Sequence, residues 1–417
     1  MKFIDLFAGI GGFHLALNKL GYECVFASEI DTILQDTYNK NFGIIPYGDI
    51  SNISLKDIPK HDILCSGFPC QPFSKAGERK ETEDARGLLL NYVEKIILNH
   101  KPSFFILENV ERFGKSKLKK DFTNKVESLY NIQYVIVSPD QLGIPQHRPR
   151  IFIIGQKITN SIIKDINKLQ YKKVKKNIYK IKYHNIKYVE ESKLSILKLW
   201  QNIINELPKD ENIYSPLWST EYMATYPFMD KATINYSSSE LNNYNGIYGA
   251  SLKDLTKNEQ INLLPKYART NSEKFPNWKI RFIKNSRNYC LKNNKVFSKY
   301  INELSKLSLS HQKLEWNIKN NDSRNLHDYI IQFRPSGIRV SKKDRFPSLV
   351  SINLTQIPIV SSDGNNFRYI TTEEALALQS FPNNFILPED YSKAFKALGN
   401  AVNVDIVYQI MKYITKN

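Results

Sequence analysis

A chain of 417 residues with 41% hydrophobic content can bury a real core and has room for two or three domains, which excludes a peptide-like scaffold. Its 59 Lys plus Arg against 41 Asp plus Glu give a formal charge of +18 and point to a polyanionic partner, nucleic acid ahead of an anionic membrane surface, although part of the lysine excess fits the codon habit of an AT-rich genome. Four cysteines (Cys24, Cys65, Cys70, Cys290) lack the paired spacings of a zinc site or a disulfide framework, and no apolar run approaches the ~20 residues of a spanning helix, so a reduced, cytoplasmic protein with no membrane contact and no metal is expected.

The first 155 residues alternate short apolar runs with amphipathic stretches, the pattern of βαβ units in a parallel sheet. It predicts strands at Lys2–Phe7, Glu23–Ser28, Asp62–Ser66, Ser103–Glu108, Tyr134–Pro139 and Arg150–Gly155, with a further candidate just before Gly48. From Gln156 to about Ile330 the alternation fades. Residues 156 to 200 hold twelve lysines, interleaved with Tyr171, Tyr179, Tyr183 and Tyr188, which reads either as a solvated face or as a phosphate-contacting one. The stretch from Asn277 to Trp316 reads as helical, with Leu304, Leu307 and Leu314 as core. Near Ile330 the earlier character returns: strands are expected at 330–333 and 347–352, a helix at Thr371–Gln379 with Thr371 as N-cap, and a last helix at Val404–Lys416. A large insert (156–330) therefore divides one α/β domain into a first part (1–155) and a second part (331–417).

Several segments carry chemistry. Asp5-Leu-Phe-Ala-Gly9-Ile-Gly11-Gly12-Phe13 follows a strand and opens a helix, where small residues let backbone approach a ligand. A dinucleotide fingerprint would want Gly or Ala where His14 stands, which counts against NAD or FAD and hence against a dehydrogenase. Glu29 ends the second strand, 20 positions after Gly9, where an acid can take both ribose hydroxyls. With Gly48-Asp49-Ile50 these residues outline a nucleoside site without a phosphate cradle, which suits S-adenosyl-L-methionine better than a nucleotide. Cys70, in Gly67-Phe-Pro-Cys-Gln-Pro-Phe-Ser74, falls just past the third strand's carboxyl end, where open α/β sheets hold ligands. Its thiol is a nucleophile, a metal ligand, a redox group or a small buried residue on this criterion alone. Glu108 ends a strand on the same edge, either as an ordinary N-cap or ion-pair partner or as a carboxyl that donates to a heterocyclic nitrogen. Gln146-His-Arg148-Pro-Arg150 enters the next strand, and alternation puts Arg148 and Arg150 on one face.

In this order the segments resemble the DNA (cytosine-5) methyltransferase family, bacterial restriction-modification type. The resemblance rests on the Asp-Leu-Phe-Ala-Gly-Ile-Gly-Gly loop, Glu29, Gly48-Asp-Ile50, Pro69-Cys-Gln71, Glu108-Asn-Val110 and Gln146-x-Arg-x-Arg150. After the insert come Arg334, Arg339, Pro347-Ser-Leu-Val350, Arg368 to Pro382 and Leu398-Gly-Asn-Ala-Val402. The resemblance covers roughly residues 1 to 155 and 330 to 417, and implies a Rossmann-like S-adenosylmethionine-dependent methyltransferase domain with a mostly parallel sheet, plus an inserted target-recognition domain.

For the site, the resemblance implies that the Cys70 thiolate attacks C6 of a cytosine flipped out of double-stranded DNA. Glu108 would engage N3 and the exocyclic amine, Arg150 the O2 side, and Arg148 a backbone phosphate. Phe7, Gly9, Gly11, Gly12, Glu29, Ile30, Asp49, Ile50, Asn400 and Ala401 would hold the cofactor. Gln71 and Ser74 would contact DNA, Gln71 filling the gap left by the base. It also implies a monomer acting on nucleoid DNA in the cytoplasm, with a restriction endonuclease as functional counterpart. Two readings compete on the same scaffold: a transfer-RNA cytosine-5 methyltransferase, and a catalytically inactive DNA-binding protein.

Overall fold

The alternation of buried apolar runs with amphipathic stretches in the first 157 residues folds as βαβ units. The computed structural model describes residues 1–69, 85–159, 163–174, 178, 181, 186–270, 272–319, 322–349 and 356–416. In chain order the first elements are β1 Lys2–Leu6, α1 Gly12–Asn18, β2 Glu23–Ser28, α2 Thr32–Phe42, β3 Ile63–Ser66, α3 Ala85–His100, β4 Phe104–Val110, α4 Lys117–Val126, β5 Tyr130–Val137, β6 Gln146–His147 and β7 Arg150–Lys157. There follow α5 Glu191–Glu206, β8 Leu217–Trp218, α6 Ser238–Leu241, α7 Lys257–Asn262, α8 Asn277–Lys292, α9 Asn294–Lys306, β9 Lys313–Trp316, β10 Ile330–Arg334, β11 Gly337–Ser341, β12 Phe346–Pro347, β13 Ile359–Ser361 and β14 Phe367–Tyr369. The chain closes with α10 Thr372–Leu378, α11 Tyr391–Asn400 and α12 Val404–Thr415.

Six strands form the first sheet in the order β2-β1-β3-β4-β7-β5. The pairs β1–β2, β1–β3 and β3–β4 are parallel, while β7 runs antiparallel to both β4 and β5. The sheet is therefore mostly parallel, as expected. All four residues of β3 are buried, as a parallel strand covered on both faces requires. Chain order reverses at β1, which lies between β2 and β3, so the carboxyl ends of these strands open the crevice where such sheets bind ligands. At the other end, the Phe105 ring of β4 fills the space beside Gly155 of β7: a Cβ at Gly155 would lie 2.0 Å from Phe105 Cε1.

The observed strands depart from the expected bounds in ways that have local causes. β1 stops at Leu6 because Phe7 takes a left-handed φ of 55°. No strand forms before Gly48; Tyr47 makes a single parallel bridge to Ser28. The expected strand at 347–352 is confined to Phe346–Pro347, Ser348 and Leu349 lie outside any strand, and residues 350–352 lie outside the described residues. The stretch 277–316 is not one helix. It breaks at Asn293, resumes as α9, and ends in β9, where Leu314 is a buried strand residue rather than a helical one.

The chain divides into two compact units. One comprises Met1–Asn185, Pro347–Leu354 and Thr371–Asn417, the other Ile186–Phe346 and Thr355–Ile370. These divisions differ from 155/156 and 330/331. Residues 163–174 stay with the first unit because Gln133 and Gln156 both donate to the Lys164 carbonyl (2.8 and 2.7 Å), and Lys172 exchanges two hydrogen bonds with Gln409 of α12 (2.7 and 3.0 Å). The C-terminal helices return to the first unit through Tyr22 and Thr415, whose hydroxyls are 2.7 Å apart, and the Lys19–Asp405 pair at 3.3 Å. Residues 330–341, by contrast, belong to the second unit because β10 and β11 pair with each other and β11 with β9.

The second unit has its own six-stranded sheet, in the order β14-β13-β10-β11-β9-β8. Trp200 of α5 is buried there and donates its indole N–H to the His311 carbonyl at 2.9 Å. A second core joins Trp218, Tyr226, Leu241, Leu264, Phe275 and Ile283. Fully buried Glu221 pairs one to one with Arg287 (2.7 Å) and accepts from the Tyr226 and Tyr267 hydroxyls, which gives the charge the hydrogen bonds that burial demands. Among the described residues no helix is long and apolar enough to cross a membrane, and no group of three His, Cys, Asp or Glu could hold a metal ion.

Gly155→Ala tests the β4–β7 contact. The added methyl must displace the Phe105 ring, and overpacking of this kind costs about 1–3 kcal/mol. A fall in the urea midpoint is expected; an unchanged midpoint would show that the ring moves aside freely.

Candidate active site

Four strands of the first sheet end along one edge, and the register fixes what lies there. Leu6 is in line with Ser28 and with Ser66, and Ser66 with Leu107. Phe7, Glu29 and Gly67 therefore leave their strands side by side, with Glu108, still within β4, next in line. Val110 pairs with Arg150, which brings the start of antiparallel β7 to the same edge.

The glycine loop bends over this edge through left-handed residues, Phe7 (φ 55°), Gly9 (φ 55°) and Gly11 (φ 80°). Gly11 is needed for space as well as conformation, since a Cβ there would lie 2.3 Å from the Phe42 ring. At Gly12 a Cβ would lie 2.7 Å from Val402 Cγ2 and 2.9 Å from the Val402 carbonyl oxygen. Val402 Cγ1 also lies 3.9 Å from the Cβ position of Gly67, so this residue links the Leu398–Val402 segment to both loops. Gly9 differs from the other two: nothing lies within 4 Å of its Cβ position, so the loop presents open space there.

Glu29 faces that loop. Its Oε2 accepts the Gly9 N–H at 2.8 Å and its Oε1 the Asp31 N–H at 3.0 Å, so both carboxyl oxygens are fixed. Burial raises its pKa, and the two amides recover part of the shift. Asp31 in turn caps α2 by accepting from the Ile33 amide at 3.0 Å. Asp49 caps the short turn Ile50–Asn52 through the Ser51 amide at 2.9 Å. The Ile50 side chain is in the hydrophobic core with Ile4 and Phe26, so only its backbone can meet a ligand. Ile30 is 69% exposed beside Glu29, and Tyr47, which the sequence did not single out, is 57% exposed with its ring stacked on Phe26 at 4.7 Å. Ala401 is buried and Asn400 exposed at the end of α11.

His14 is a core residue. It is 3% exposed, stacks on Phe42 at 3.9 Å, and its Nδ1 lies 2.7 Å from the Tyr38 hydroxyl. Burial lowers its pKa from 6.5 to about 4.

Glu108 and Arg150 meet at the edge, Arg150 Nε lying 3.0 Å from Glu108 Oε1. Glu108 is 7% exposed; burial pushes its carboxyl above the ordinary range, and the charges of Arg150 and Arg148 pull it only part of the way back. A buried carboxyl of this kind can hold a proton and donate it in a hydrogen bond. The next residue, Asn109, donates from Nδ2 to the Phe68 carbonyl at 3.3 Å, which fixes the chain two residues before Cys70. The sequence offered Asn109 only as a motif neighbour. Cys70, Gln71 and Ser74 themselves lie outside the described residues.

Arg148 corrects an expectation. It was placed on the face of Arg150 with a phosphate to hold, yet it lies ahead of β7, is 3% exposed, and its Nη2 donates to the carbonyls of Gly399 (2.8 Å) and Ala401 (3.1 Å). Its amide donates to Ser138 Oγ at 2.9 Å. The guanidinium therefore caps the end of α11 and positions the 399–401 backbone; its charge reaches Glu108 without its side chain reaching solvent.

A family model described as C-5 cytosine-specific DNA methylase matches residues 1–416. The type II methyltransferase M.BanI of Aneurinibacillus aneurinilyticus is 30% identical over 447 aligned residues, covering 100% of this chain and 96% of that protein. Matches to M.DsaV of Dactylococcopsis salina (45% identical) and M.HhaI of Haemophilus parahaemolyticus (42% identical) are shorter: each covers 37% of this chain, and 45% and 48% of those proteins respectively. The chain thus aligns with about half the length of these two relatives. Among solved structures, the Entamoeba histolytica methyltransferase EhMeth covers 99% of this chain and 97% of its own at TM-score 0.54 and 18% identity. The S. pombe Dnmt2 methyltransferase covers 99% and 98% at TM-score 0.51 and 18% identity. At that identity the structures speak for the fold alone.

His14 yields a pH prediction. The folded chain keeps it neutral down to about pH 4, while the unfolded chain protonates it at the ordinary 6.5. Stability is therefore full above 6.5 and drains as pH falls toward 4. In His14→Gln, the drop in urea midpoint between about pH 7.5 and about pH 5 should shrink; an undiminished drop would place the acid sensitivity elsewhere.

Proposed function

Because the chain belongs to the C-5 cytosine-specific DNA methylase family, we propose that it transfers a methyl group from S-adenosyl-L-methionine to C5 of a cytosine within a defined sequence of duplex DNA. It serves on this reading as the modification enzyme of a restriction-modification system, a monomer working on nucleoid DNA with a restriction endonuclease as its counterpart. The observation that carries the reading is the buried Glu108–Arg150 pair at 3.0 Å, on the sheet edge from which the chain leads through Phe68 to Cys70.

The residues present fit the cofactor. Space is open at Gly9, and the Glu29 carboxylate, fixed by two amides, keeps lone pairs for the ribose hydroxyls. Phe7, Gly11 and Gly12 shape the loop, Ile30 and Asp49 flank the base side, Ile50 contributes backbone, and Asn400 and Ala401 border the loop beside Val402. When bound, the cofactor supplies the methyl group in electrophilic form.

The remaining chemistry belongs to the chain. The Cys70 thiolate adds to C6 of the flipped cytosine; extrusion of the base costs a few kcal/mol of stacking and pairing. Addition places negative charge on the ring, and the Glu108 carboxyl, whose hold on a proton burial strengthens, donates to N3 to disperse it. Arg150 orients Glu108 and covers the O2 side. Methyl transfer to C5 would release S-adenosyl-L-homocysteine; loss of the C5 proton to water then expels the Cys70 thiolate, and N3 returns its proton to Glu108 as the aromatic ring is restored. Gln71 and Ser74 meet the DNA, and the second unit acts as the target-recognition domain. Arg148 acts here by positioning the 399–401 backbone.

Incubation with labelled S-adenosyl-L-methionine and either mixed-sequence duplex DNA or bulk transfer RNA tests the reading. Label is expected in DNA; label in RNA alone would move the protein to the transfer-RNA reading, and label in neither would leave the binding-only one. Cys70→Ser should fall to background. Glu108→Gln, which keeps size but cannot transfer a proton, should lose about 10²–10⁴-fold in kcat. Glu29→Ala should raise KM for the cofactor with a smaller effect on kcat. Since the carboxylate form of Glu29 binds hydroxyls and its pKa is raised, cofactor affinity should weaken as pH falls, beginning above the ordinary carboxylate range. Unchanged cofactor affinity in Glu29→Ala would remove its ribose role.

A further inference from the structure

The sheet of the second unit carries a charged cluster that methyl transfer leaves unused. Arg339 of β11 is in register with Glu315 of β9 on one side and Gln332 of β10 on the other. Strand alternation then puts Lys313, Glu315, Gln332, Arg334 and Arg339 on one face. Glu315 Oε2 accepts from Arg339 Nε at 2.7 Å and from Arg334 Nη1 at 3.2 Å, and Oε1 accepts from Ser336 Oγ at 2.7 Å. Lys313 has its ammonium 4.8 Å from the Tyr267 ring centre and 5.5 Å from that of Trp218, and pairs with no acid among the described residues.

The balance of charge is what sets this cluster apart. Two arginines contact a single oxygen of one carboxylate, and Lys313 stands on the same face as a third cation. Burial works against the charge on Glu315, yet Ser336, Arg339 and Arg334 outweigh burial and hold the carboxyl below its ordinary range. Burial and then the neighbouring Arg339 charge push Arg334 down. Glu221 in the same unit shows the alternative, a buried acid matched by one arginine and two hydroxyls. The arginine pair is therefore over-charged for a structural role, while its side chains stay 28% and 34% exposed. Glu315 restrains both guanidiniums, and among the described residues the two terminal nitrogens of Arg339 have no hydrogen-bond partner. A restrained guanidinium fork matches the geometry of a phosphate.

We propose that Arg334 and Arg339, held by Glu315, grip a backbone phosphate of duplex DNA, with Lys313 serving a neighbouring phosphate. This rests on the DNA reading above and adds where the second unit holds its substrate, independently of base sequence. Glu315 is a positioning residue in this arrangement.

The test is binding of a fluorescent mixed-sequence duplex to the full chain across a salt series. Each phosphate contact contributes about 0.9 to the slope of log affinity against log salt. Arg334→Gln/Arg339→Gln should lower that slope by about 1–2, and Lys313→Gln, which breaks no ion pair, by about 0.9. Arg334→Lys/Arg339→Lys should retain most of the slope. Thermal unfolding verifies the fold of each variant, and Lys313→Gln decides alone if the double variant does not fold. Wild-type slope in the folded neutral variants, or weaker binding without a slope change, would overturn the phosphate grip while leaving the DNA reading intact. Failure of the wild-type chain to bind duplex DNA would overturn both.

Discussion

A carboxyl buried next to an arginine is the constraint around which the first unit is arranged. Glu108 sits two residues before the end of a central strand, where burial drives its pKa up, and Arg150 stands 3.0 Å away, where its charge drives it down. Burial wins because both partners are largely withdrawn from solvent, Arg150 at 18% and Glu108 at 10% side-chain exposure. Charge separation is costly there, so on the proposed chemistry a ring that becomes anionic on thiol addition would meet a carboxyl whose hold on a proton burial strengthens. The antiparallel turn of β7 makes this possible: a parallel strand would start at the opposite edge of the sheet, and Arg150 would lie far from Glu108.

The same edge solves a second problem, that of bringing a cofactor and a base to one place. β1 and β2 end in the glycine loop and Glu29, β3 leads toward Cys70, and β4 carries Glu108 near its end. Val402 packs against Gly12 and the Cβ position of Gly67, and the Arg148 guanidinium binds the carbonyls just before Val402. Two halves of the proposed site are therefore braced by one segment from the far end of the chain. An arginine whose expected task was a phosphate stabilises this join instead, and the cations suited to phosphate stand on the sheet of the second unit.

Much of this was legible in the sequence where the signal is local. The glycine loop and Glu29 each follow a buried strand and Glu108 lies two residues before the end of one, and a strand's end can be read to within a residue or two from five or six residues. Arg148 was not legible in that way, because its partners, Gly399 and Ala401, are some 250 positions away and are backbone carbonyls that leave no trace in residue type. The stretch 277–316 misled for another reason: Leu304, Leu307 and Leu314 satisfy helical spacing, but a turn through Leu309–Gln312 separates α9 from a strand whose pairing with β11 and β8 is non-local. The unit division at 185/186 likewise depends on Gln409 reaching Lys172, a contact that composition cannot foretell.

The most direct measurement uses duplex DNA in which 5-fluorocytosine replaces cytosine, incubated with the protein and S-adenosyl-L-methionine. After thiol addition and methylation, C5 has no proton to lose, so the thiol cannot be expelled. A stable protein–DNA adduct whose peptide contains Cys70 is the predicted result. An adduct at Cys24, Cys65 or Cys290, or methylation of normal DNA with no adduct on the fluorinated duplex, would contradict the account.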